Sequence, residues 1–289
     1  MRKDVDLLRP IFITGPPRSG TTILYELFTK HKDIAYCEHY SSKYFQRPYM
    51  FRFIPLLMKY QKFRYKASVV KPNEGWIWDR FYNPLDYLDE THVTQEIKDY
   101  YDKAIKYQLK AFGATRFVNK NPRNCLRLRW INALYPNAYH IVIWRQPQPA
   151  INSMYNSFKK QEKKWGEKLY QKPKKITHNY YRGYGYIKEI LGNKASKLQT
   201  CINYFSLMSK SLKNDLEIVK DRLIEIHYED FINSPQETMK KLYDFTELDW
   251  YDQLSKKIPK KLELKNNEKW KQLPQEESSM LENLEEFIP

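Results

Sequence analysis

The fold is decided by the stretch Ile11-Phe12-Ile13-Thr14-Gly15-Pro16-Pro17-Arg18-Ser19-Gly20-Thr21-Thr22. A short apolar run ends in a turn rich in glycine and proline, and a helical pattern of apolar residues begins at Thr21. A strand, a glycine loop and a helix in this order place backbone N–H groups and a helix N-terminus around one anion. A tight turn without a ligand is the alternative, but the order of the elements favours an anion site.

The loop differs from a nucleoside-triphosphate loop at one position. The spacing from Gly15 to Gly20 is that of a P-loop, in which a lysine and then Ser or Thr follow the second glycine. Here Thr21 and Thr22 follow Gly20, and Arg18 lies inside the loop. The lysine that would reach the β- and γ-phosphates is missing, which argues against ATP. A P-loop kinase or NTPase is nevertheless retained as an alternative function.

Strand and helix patterns alternate along the chain. Apolar runs predict strands at 10–14, 34–37, 116–119, 139–144 and 223–227. Helical patterns are found at 21–30, 49–65, 94–112, 124–134, from 149 onward and at 197–220. A further helix is predicted after Ser234, because Ser234, Pro235 and Glu237 form a capping-box pattern. The alternation predicts an α/β fold, a P-loop-like parallel sheet with helices on both faces.

The length of 289 residues suits one domain with a substantial core. We expect a single domain over 1–289, with 41–112 and 155–200 as insertions that form the acceptor site or a lid. The lysine-rich stretch 159–175 is interpreted as an exposed helix end or loop. After Pro259 the chain becomes polar, so 259–289 is expected to be a polar tail that is a lid or partly disordered.

The chain carries 50 Lys and Arg against 34 Asp and Glu, a formal net charge of +16. Such a field attracts anionic ligands, nucleic acid or acidic membrane surfaces. A non-catalytic basic module is therefore a second alternative, but no nucleic-acid-binding motif is recognised, and no nucleic-acid partner is expected. Peripheral contact with an anionic membrane stays open. The longest apolar run, 53–58, is too short for a membrane span of roughly 20 residues.

Cysteine and histidine usage predicts neither a disulfide framework nor a metal site. Cys37, Cys125 and Cys201 are widely spaced, and the six histidines lack the spacing of metal ligands. The first residues, 1–6, contain no apolar signal core. We therefore expect a soluble, cytoplasmic protein in a reducing setting that holds no metal.

Several basic and acidic residues follow predicted strands directly. Ligands of parallel sheets bind at the carboxyl ends of the strands, so the loop after the first strand, Glu38, Lys120 and Arg145 are expected to converge. Ser153 follows Arg145 by eight residues, on the first turns of the next helix. Arginine can donate two parallel hydrogen bonds to phosphate. The alternative for Arg145 is a strand cap or a pair with a carboxylate.

The loop after the first strand and the segment from Ile143 through Arg145 to Ser153 together resemble the sulfotransferases that use 3′-phosphoadenosine 5′-phosphosulfate (PAPS). The segments 119–123 and 227–231 also resemble parts of that family, and the resemblance extends over about 10–245. It implies that the loop holds the 5′-phosphosulfate and that Arg145 and Ser153 hold the 3′-phosphate. The nucleotide-binding residues that it implies are Pro17, Arg18, Ser19, Gly20, Thr21, Thr22, Arg145, Ser153 and Tyr228. For Tyr228 core packing is the alternative.

Two departures from the family pattern concern the 3′-phosphate. Gln146 and Gln148 stand where members often carry an acidic residue after the arginine. The tail also lacks the glycine-rich basic motif of the cytosolic small-molecule enzymes. The chain resembles the carbohydrate and protein-tyrosine branches more than the phenol and steroid branch.

The resemblance implies sulfuryl transfer from PAPS to a hydroxyl on a glycan, a lipid, a tyrosine or a small metabolite. A sulfuryl group carries less negative charge than a phosphoryl group, so the Mg²⁺ clamp of kinases is less needed. Arg18, Lys120 and the loop amides are expected to stabilise the leaving phosphate and the sulfuryl oxygens.

Glu38 is the candidate base for the acceptor hydroxyl. It follows the second strand, as the base does in the glutamate-using branch, and an ordinary glutamate with a pKa of about 4.3 is ionised at neutral pH. His39, the next residue, is the alternative base. The alternative for Glu38 itself is an ordinary surface glutamate without a catalytic role. Trp76 and Trp78 are expected either to stack on adenine or an acceptor ring or simply to pack in the core or a lid.

Overall fold

The computed structural model describes residues 9–61, 72, 76–83, 85–165, 187, 195–263 and 267–289. In these ranges it contains one five-stranded sheet in the order β2-β3-β1-β4-β5, and every neighbouring pair is parallel. The strands are β1 (Ile11–Thr14), β2 (Ile34–Tyr36), β3 (Arg116–Lys120), β4 (Tyr139–Trp144) and β5 (Leu223–His227). All five predicted strands are present, and the predicted α/β class is confirmed.

The described ranges contain eleven α-helices and several 3₁₀ turns. The helices are α1 (Thr21–Phe28), α2 (His39–Lys43), α3 (Ile54–Gln61), α4 (Gln95–Phe112), α5 (Leu128–Leu134), α6 (Pro147–Trp165), α7 (Lys197–Asp215), α8 (Tyr228–Asn233), α9 (Pro235–Phe245), α10 (Asp252–Ser255) and α11 (Gln275–Ser279). The 3₁₀ turns are Pro48–Phe53, Trp76–Asp79, Glu90–His92, Pro122–Leu126, Leu216–Arg222, Lys269–Gln272 and Glu285–Phe287.

The central strand β1 is buried on both faces of the sheet. Ile11 and Ile13 pack in one cluster with α1 and α9, whereas Phe12 packs in another with α4 and α5. Successive side chains of a strand point to opposite faces, so a strand covered by helices on both sides is apolar throughout. The register pairs Ile13 with Lys120 on one side and with Ile141 on the other. The carboxyl ends of β1, β3 and β4 therefore lie at one edge of the sheet.

The helix predicted after Ser234 is present, but its predicted capping box is not formed. α9 begins at Pro235, and the side chain of Ser234 makes no cap hydrogen bond. The reason is that Ser234 also ends α8: its N–H donates to the carbonyl of Asp230, and its ψ of 60° is not that of an extended N-cap. Pro235 stands at the first helical position, where its fixed φ suits a helix and its missing N–H leaves no helical hydrogen bond unmade.

Three predicted helices are each divided into a 3₁₀ turn and a shorter α-helix. The helix predicted at 197–220 is α7 followed by the turn Leu216–Arg222. The helix predicted at 49–65 is the turn Pro48–Phe53 followed by α3, and 62–65 lie outside the described residues. Pro55 has no N–H to donate to a carbonyl of the preceding turn, so it is tolerated only in the first turn of an α-helix. α3 accordingly begins at Ile54, one residue before it. The helix predicted at 124–134 is likewise the turn Pro122–Leu126 followed by α5.

Residues 267–289 of the tail pack onto the core. Leu281, Leu284 and Phe287 are buried in one cluster with α6 and α7, and the Phe287 ring lies 6.4 Å from that of Phe205. Most of the predicted insertion 155–200 lies outside the described residues. None of the helices in the described ranges combines the length and the apolarity that crossing a membrane requires.

Candidate active site

The loop after β1 needs glycine at both of its spaced positions for steric reasons. A Cβ on Gly15 would lie 2.4 Å from the carbonyl oxygen of Ile143 in β4. A Cβ on Gly20 would lie 2.3 Å from Cδ2 of Tyr228, and Gly20 also has a φ of +91°. Glycine alone adopts such a φ without cost. The loop backbone is thus pressed against β4 and against the ring that follows β5.

Several donors of the loop face the start of α1. Ser19 is fully buried and its N–H donates to the carbonyl of Pro16 at 3.2 Å, but its Oγ has no hydrogen-bond partner among the described residues. α1 begins at Thr21, so the N–H groups of its first turn have no partner within the helix. Pro17 is buried beside them. A buried hydroxyl and amides that have no partner within the helix form a site that suits an anion.

Arg145 connects the end of β4 to the loop that follows β1. Its Nη1 donates to the carbonyl oxygen of Arg18 at 3.0 Å, and its guanidinium lies 4.3 Å from the centre of the Tyr228 ring. Its Nη2 donates to Oδ1 of Asn267 at 2.6 Å. The guanidinium is largely buried, burial lowers its pKa from the ordinary value, and Nε has no partner among the described residues.

Arg18 and Ser153 complete this group. Nε of Arg18 donates to Oγ of Ser153 at 3.1 Å, which links the loop to α6. The predicted nucleotide-binding residues of the loop, of α6 and of the end of β5 are therefore brought together. The guanidinium groups of Arg18 and Arg145, including the unpartnered Nε of Arg145, are donors only, and the Ser19 hydroxyl can donate as well. Their chemistry fits a ligand that carries two separate anionic groups.

Lys120 ends β3 beside the same loop. Its Nζ donates to Oγ1 of Thr22 at 3.1 Å, and only 3% of the residue is exposed. Burial lowers the pKa of Lys120 to about 7, and the positive charge of Arg18 adds to the effect, whereas Glu26 opposes it. The amine is therefore poised between its neutral and charged forms near neutral pH.

Glu38 is buried and caps α2. Its Oε1 accepts from the N–H of Ser41 at 2.9 Å, and its Oε2 accepts from Oγ of Ser41 at 2.9 Å and from Nε2 of Gln108 at 3.1 Å. Burial raises the pKa of Glu38 to about 7, although these hydrogen bonds act in the opposite direction. The expectation of an ordinary pKa is therefore wrong, and so is the alternative of an exposed glutamate.

Within the described residues, the hydrogen bonds of the Glu38 side chain go to α2 and α4, not to Lys120 or to the loop. A carboxylate has about four acceptor positions, and three are used here. No donor among the described residues uses the remaining acceptor position on Oε1. The role of Glu38 as a base stays a prediction.

The other aromatic and basic candidates are placed differently. His39 is exposed at the first residue of α2. Trp78 is 1% exposed and stacks on Tyr101 with ring centres 4.6 Å apart, so it packs in the core. Of the two predictions for Trp78, stacking on a ligand is therefore wrong. The side chain of Trp76 lies outside the described residues.

Three residues of the site were not expected from the sequence. Ser41 could have been identified, since Glu38 and Ser41 have the spacing of a reciprocal helix cap. Gln108 and Asn267 have no local sequence signal. Gln108 lies 70 positions from its partner Glu38, and Asn267 lies 122 positions from its partner Arg145. In the described ranges no cluster of three or more His, Cys, Asp or Glu could hold a metal ion.

Comparison with known proteins gives a consistent result. The model of the sulfotransferase family matches residues 10–252. Protein-tyrosine sulfotransferase 1 of Danio rerio is 22% identical over 253 residues, which cover 86% of this chain and 55% of the relative. Nodulation protein NoeE of Sinorhizobium fredii is 26% identical over 160 residues, 55% of this chain and 34% of that protein. The chain thus spans about half the length of the first of these relatives.

Solved structures show the same fold. Sulfotransferase STF9 of Mycobacterium avium superimposes with a TM-score of 0.56 at 14% identity, over 86% of this chain and 66% of that one. Sulfotransferase STF1 of Mycobacterium tuberculosis gives 0.53 at 17% identity, over 88% and 71%. The family resemblance of the loop and of the Arg145 segment is confirmed by the match over 10–252, and the chain belongs to the sulfotransferase family.

Proposed function

We propose that the protein transfers a sulfuryl group from PAPS to a hydroxyl acceptor on a glycan, a lipid, a tyrosine or a small metabolite. The observation that supports this most strongly is the hydrogen bond from Nη1 of Arg145 to the carbonyl oxygen of Arg18. It brings the loop after β1 and the segment after β4 into one cluster, as a nucleotide with two separated anionic groups requires.

The loop residues Pro17 to Thr22 would hold the 5′ end of the donor, and Arg145, Ser153 and Tyr228 would hold the 3′-phosphate. When bound, the donor supplies the sulfuryl group and leaves as adenosine 3′,5′-bisphosphate. Arg18 and the buried hydroxyl of Ser19 are preorganised donors for charge that develops on the leaving phosphate. These residues supply positive charge without a metal, and we propose that none is required.

Lys120 would contribute charge at the reacting centre. Its pKa of about 7 reflects its burial, which outweighs the opposing effect of the Glu26 charge. An anionic group placed beside Thr22 favours the charged form of a neighbouring amine. Lys120 would therefore be protonated when the nucleotide is bound and would stabilise the negative charge that forms on the leaving oxygen.

Glu38 would take the proton of the acceptor hydroxyl as the new oxygen–sulfur bond forms. A base is most effective when its pKa lies near the working pH, and the pKa of Glu38 is about 7. Its remaining acceptor position on Oε1 is the position for that proton. His39, which is exposed one residue later, is retained as the alternative base.

The acceptor class and the compartment are further parts of the proposal. Several relatives are named as protein-tyrosine sulfotransferases, which favours a tyrosine hydroxyl among the acceptors. Cys37, Cys125 and Cys201 are free and buried, which is compatible with the proposed cytoplasmic location.

Two glycine variants test the proposed nucleotide site. Gly20→Ala places a Cβ against the Tyr228 ring, which would displace the ring on which Arg145 stacks. Gly113→Ala is the matched control, because Gly113 has a φ of +64° and its Cβ would meet nothing within 4 Å. We expect both variants to lose about 1 kcal/mol or more of stability from backbone strain. Only Gly20→Ala should lose affinity for adenosine 3′,5′-bisphosphate, by at least about tenfold.

The measurement is calorimetric titration of each folded variant with adenosine 3′,5′-bisphosphate and, separately, with ATP and Mg²⁺. A folded Gly20→Ala protein with undiminished affinity for the bisphosphate would contradict the proposed site. Tighter, metal-dependent binding of ATP would favour the P-loop NTPase instead. Transfer of labelled sulfate from PAPS to a pool of hydroxyl acceptors then tests the reaction itself.

A further inference from the structure

One short segment of the surface exposes an unusual number of large apolar side chains. Six large hydrophobic side chains are exposed in the described ranges, and four of them lie between positions 49 and 58. These four are Tyr49, Phe53, Leu56 and Met58, with exposed fractions of 43%, 37%, 52% and 39%. They belong to the 3₁₀ turn Pro48–Phe53 and to α3.

These side chains are not the core face of the segment. Phe51 and Ile54 are fully buried and pack in the cluster that contains α4. The turn and α3 are therefore anchored by their inner side chains, while the outer ones face solvent. An exposed group of apolar side chains on a well-anchored element is typical of an interaction surface.

The same surface is basic. Arg47, Arg52 and Lys59 are exposed, and no ion pair joins them to a carboxylate among the residues that the structure describes. The guanidinium of Arg52 lies 4.9 Å from the centre of the Phe53 ring. In the sequence no Asp or Glu occurs between Glu38 and Glu74. We call Tyr49, Arg52, Phe53, Leu56 and Lys59 the basic apolar face.

We propose that the basic apolar face docks on the surface of an anionic lipid bilayer and holds the enzyme there as a peripheral protein. Aromatic and aliphatic side chains that alternate with Arg and Lys are suited to the boundary between headgroups and acyl chains. Unpaired cations at that depth are attracted by anionic lipids. The inference does not depend on the proposed sulfuryl transfer.

Two other partners fit the surface less well. Nucleic acid would use the cations but leaves Leu56 without a role. A second copy of the chain, paired about a two-fold axis, would place the same basic patch on both sides of the interface, so that like charges would face each other. An anionic bilayer satisfies both the apolar and the basic part of the face.

Vesicle sedimentation with the full chain tests the proposal. We expect binding to phosphatidylcholine vesicles in which phosphatidylserine is about a third of the lipid, and much weaker binding to pure phosphatidylcholine. Leu56→Ser should weaken binding to the anionic vesicles by at least about threefold. Leu207→Ser, which changes an exposed leucine on α7, is the matched control and should bind like the unaltered protein.

Two double variants that reverse charge distinguish the effect of the basic apolar face on vesicle binding from the effect of the net positive charge of the protein. Arg52→Glu with Lys59→Glu should reduce vesicle binding by at least about tenfold. Lys240→Glu with Lys241→Glu, two exposed positions on α9, makes the same change in net charge and should have a smaller effect. Melting temperature and affinity for adenosine 3′,5′-bisphosphate, measured on every variant, show that each one is folded.

Three outcomes would overturn the proposal. The first is no binding of the unaltered protein to anionic vesicles. The second is an equal loss of binding in the α9 pair, which would assign the interaction to net charge alone. The third is a dimer in light scattering that Leu56→Ser dissociates, which would assign the face to a second copy.

Discussion

The carboxyl group of Glu38 is held by three donors in a place where water does not reach it. Ser41 donates twice and Gln108 donates once. These bonds favour the charged form, but burial opposes it more strongly, and the pKa rises to about 7. The same side chain caps α2 and is the candidate base, so its position is determined by the helix that follows it.

Gln108 should act as a positioning residue for this carboxylate. Gln108→Leu removes a donor that stabilises the charged form, so the pKa of Glu38 should rise further. If Glu38 is the base, the transfer rate rises with pH through about 7, and the variant should shift this rise to higher pH by about one unit. The measurement is the pH dependence of sulfate transfer.

Gln95→Leu is the control for this prediction. It makes the same substitution at an exposed position on α4 and should leave the pH profile unchanged. Glu38→Gln should remove the rise with pH and lower the rate by about 100-fold or more. A pH profile that Gln108→Leu does not move would rule out the positioning role.

At the scale of elements, strand β4 contains a buried histidine in an otherwise apolar run. His140 lies opposite Phe12 in the register and its ring stacks on that of Phe12 at 6.0 Å between centres. Neither ring nitrogen has a hydrogen-bond partner among the described residues. Burial lowers the pKa of His140 to about 3, and the charge of Arg222 adds to this. The folded protein therefore keeps His140 neutral.

His140 should make the fold sensitive to acid. Below pH 6.5 the unfolded chain binds a proton at this histidine that the folded protein does not bind, so stability falls as the pH decreases towards 3. The full loss is on the order of 5 kcal/mol. His140→Leu should reduce this slope and raise stability at neutral pH, because two unpaired buried nitrogens are removed.

Urea unfolding at several pH values measures this effect. His227→Leu, at the exposed end of β5, is the control and should keep the slope of the unaltered protein. An identical dependence on pH in the His140 and His227 variants would show that other groups cause the acid sensitivity.

At the scale of the whole molecule, the tail residues 267–289 contact elements that lie far from them in the sequence. Asn267 connects Arg145 to Glu229, and Leu281, Leu284 and Phe287 fill the cluster above α7. Lys213 on α7 also donates to the carbonyls of Glu286 and Ile288. A segment whose composition is polar is therefore part of the core and reaches Arg145 in the proposed nucleotide site.

Leu281→Ala should destabilise the protein by about 2–4 kcal/mol, because the side chain is fully buried and its removal leaves a cavity. Leu207→Ala, on the exposed side of α7, should cost less than about 0.5 kcal/mol. Chemical denaturation of both variants gives the comparison. Equal stability of the two would mean that the tail contributes little to folding.

The sequence by itself determined the order of the elements. The five strands, the loop of 15–22 and the start of α9 at Pro235 were predictable, because apolar period and turn chemistry are local properties of the chain. The pairing of the loop with Arg145 was predictable as well, since both follow strands of one parallel sheet.

Only the tertiary structure decided the properties that depend on burial and on distant partners. The pKa of Glu38 depends on α4, the orientation of Arg145 depends on Asn267, and Trp78 is placed in the core by Tyr101. The failure of Ser234 to cap α9 follows from the helix that ends at the same residue. Desolvation and long-range hydrogen bonds arise only when segments far apart in sequence meet, and no local pattern encodes that meeting.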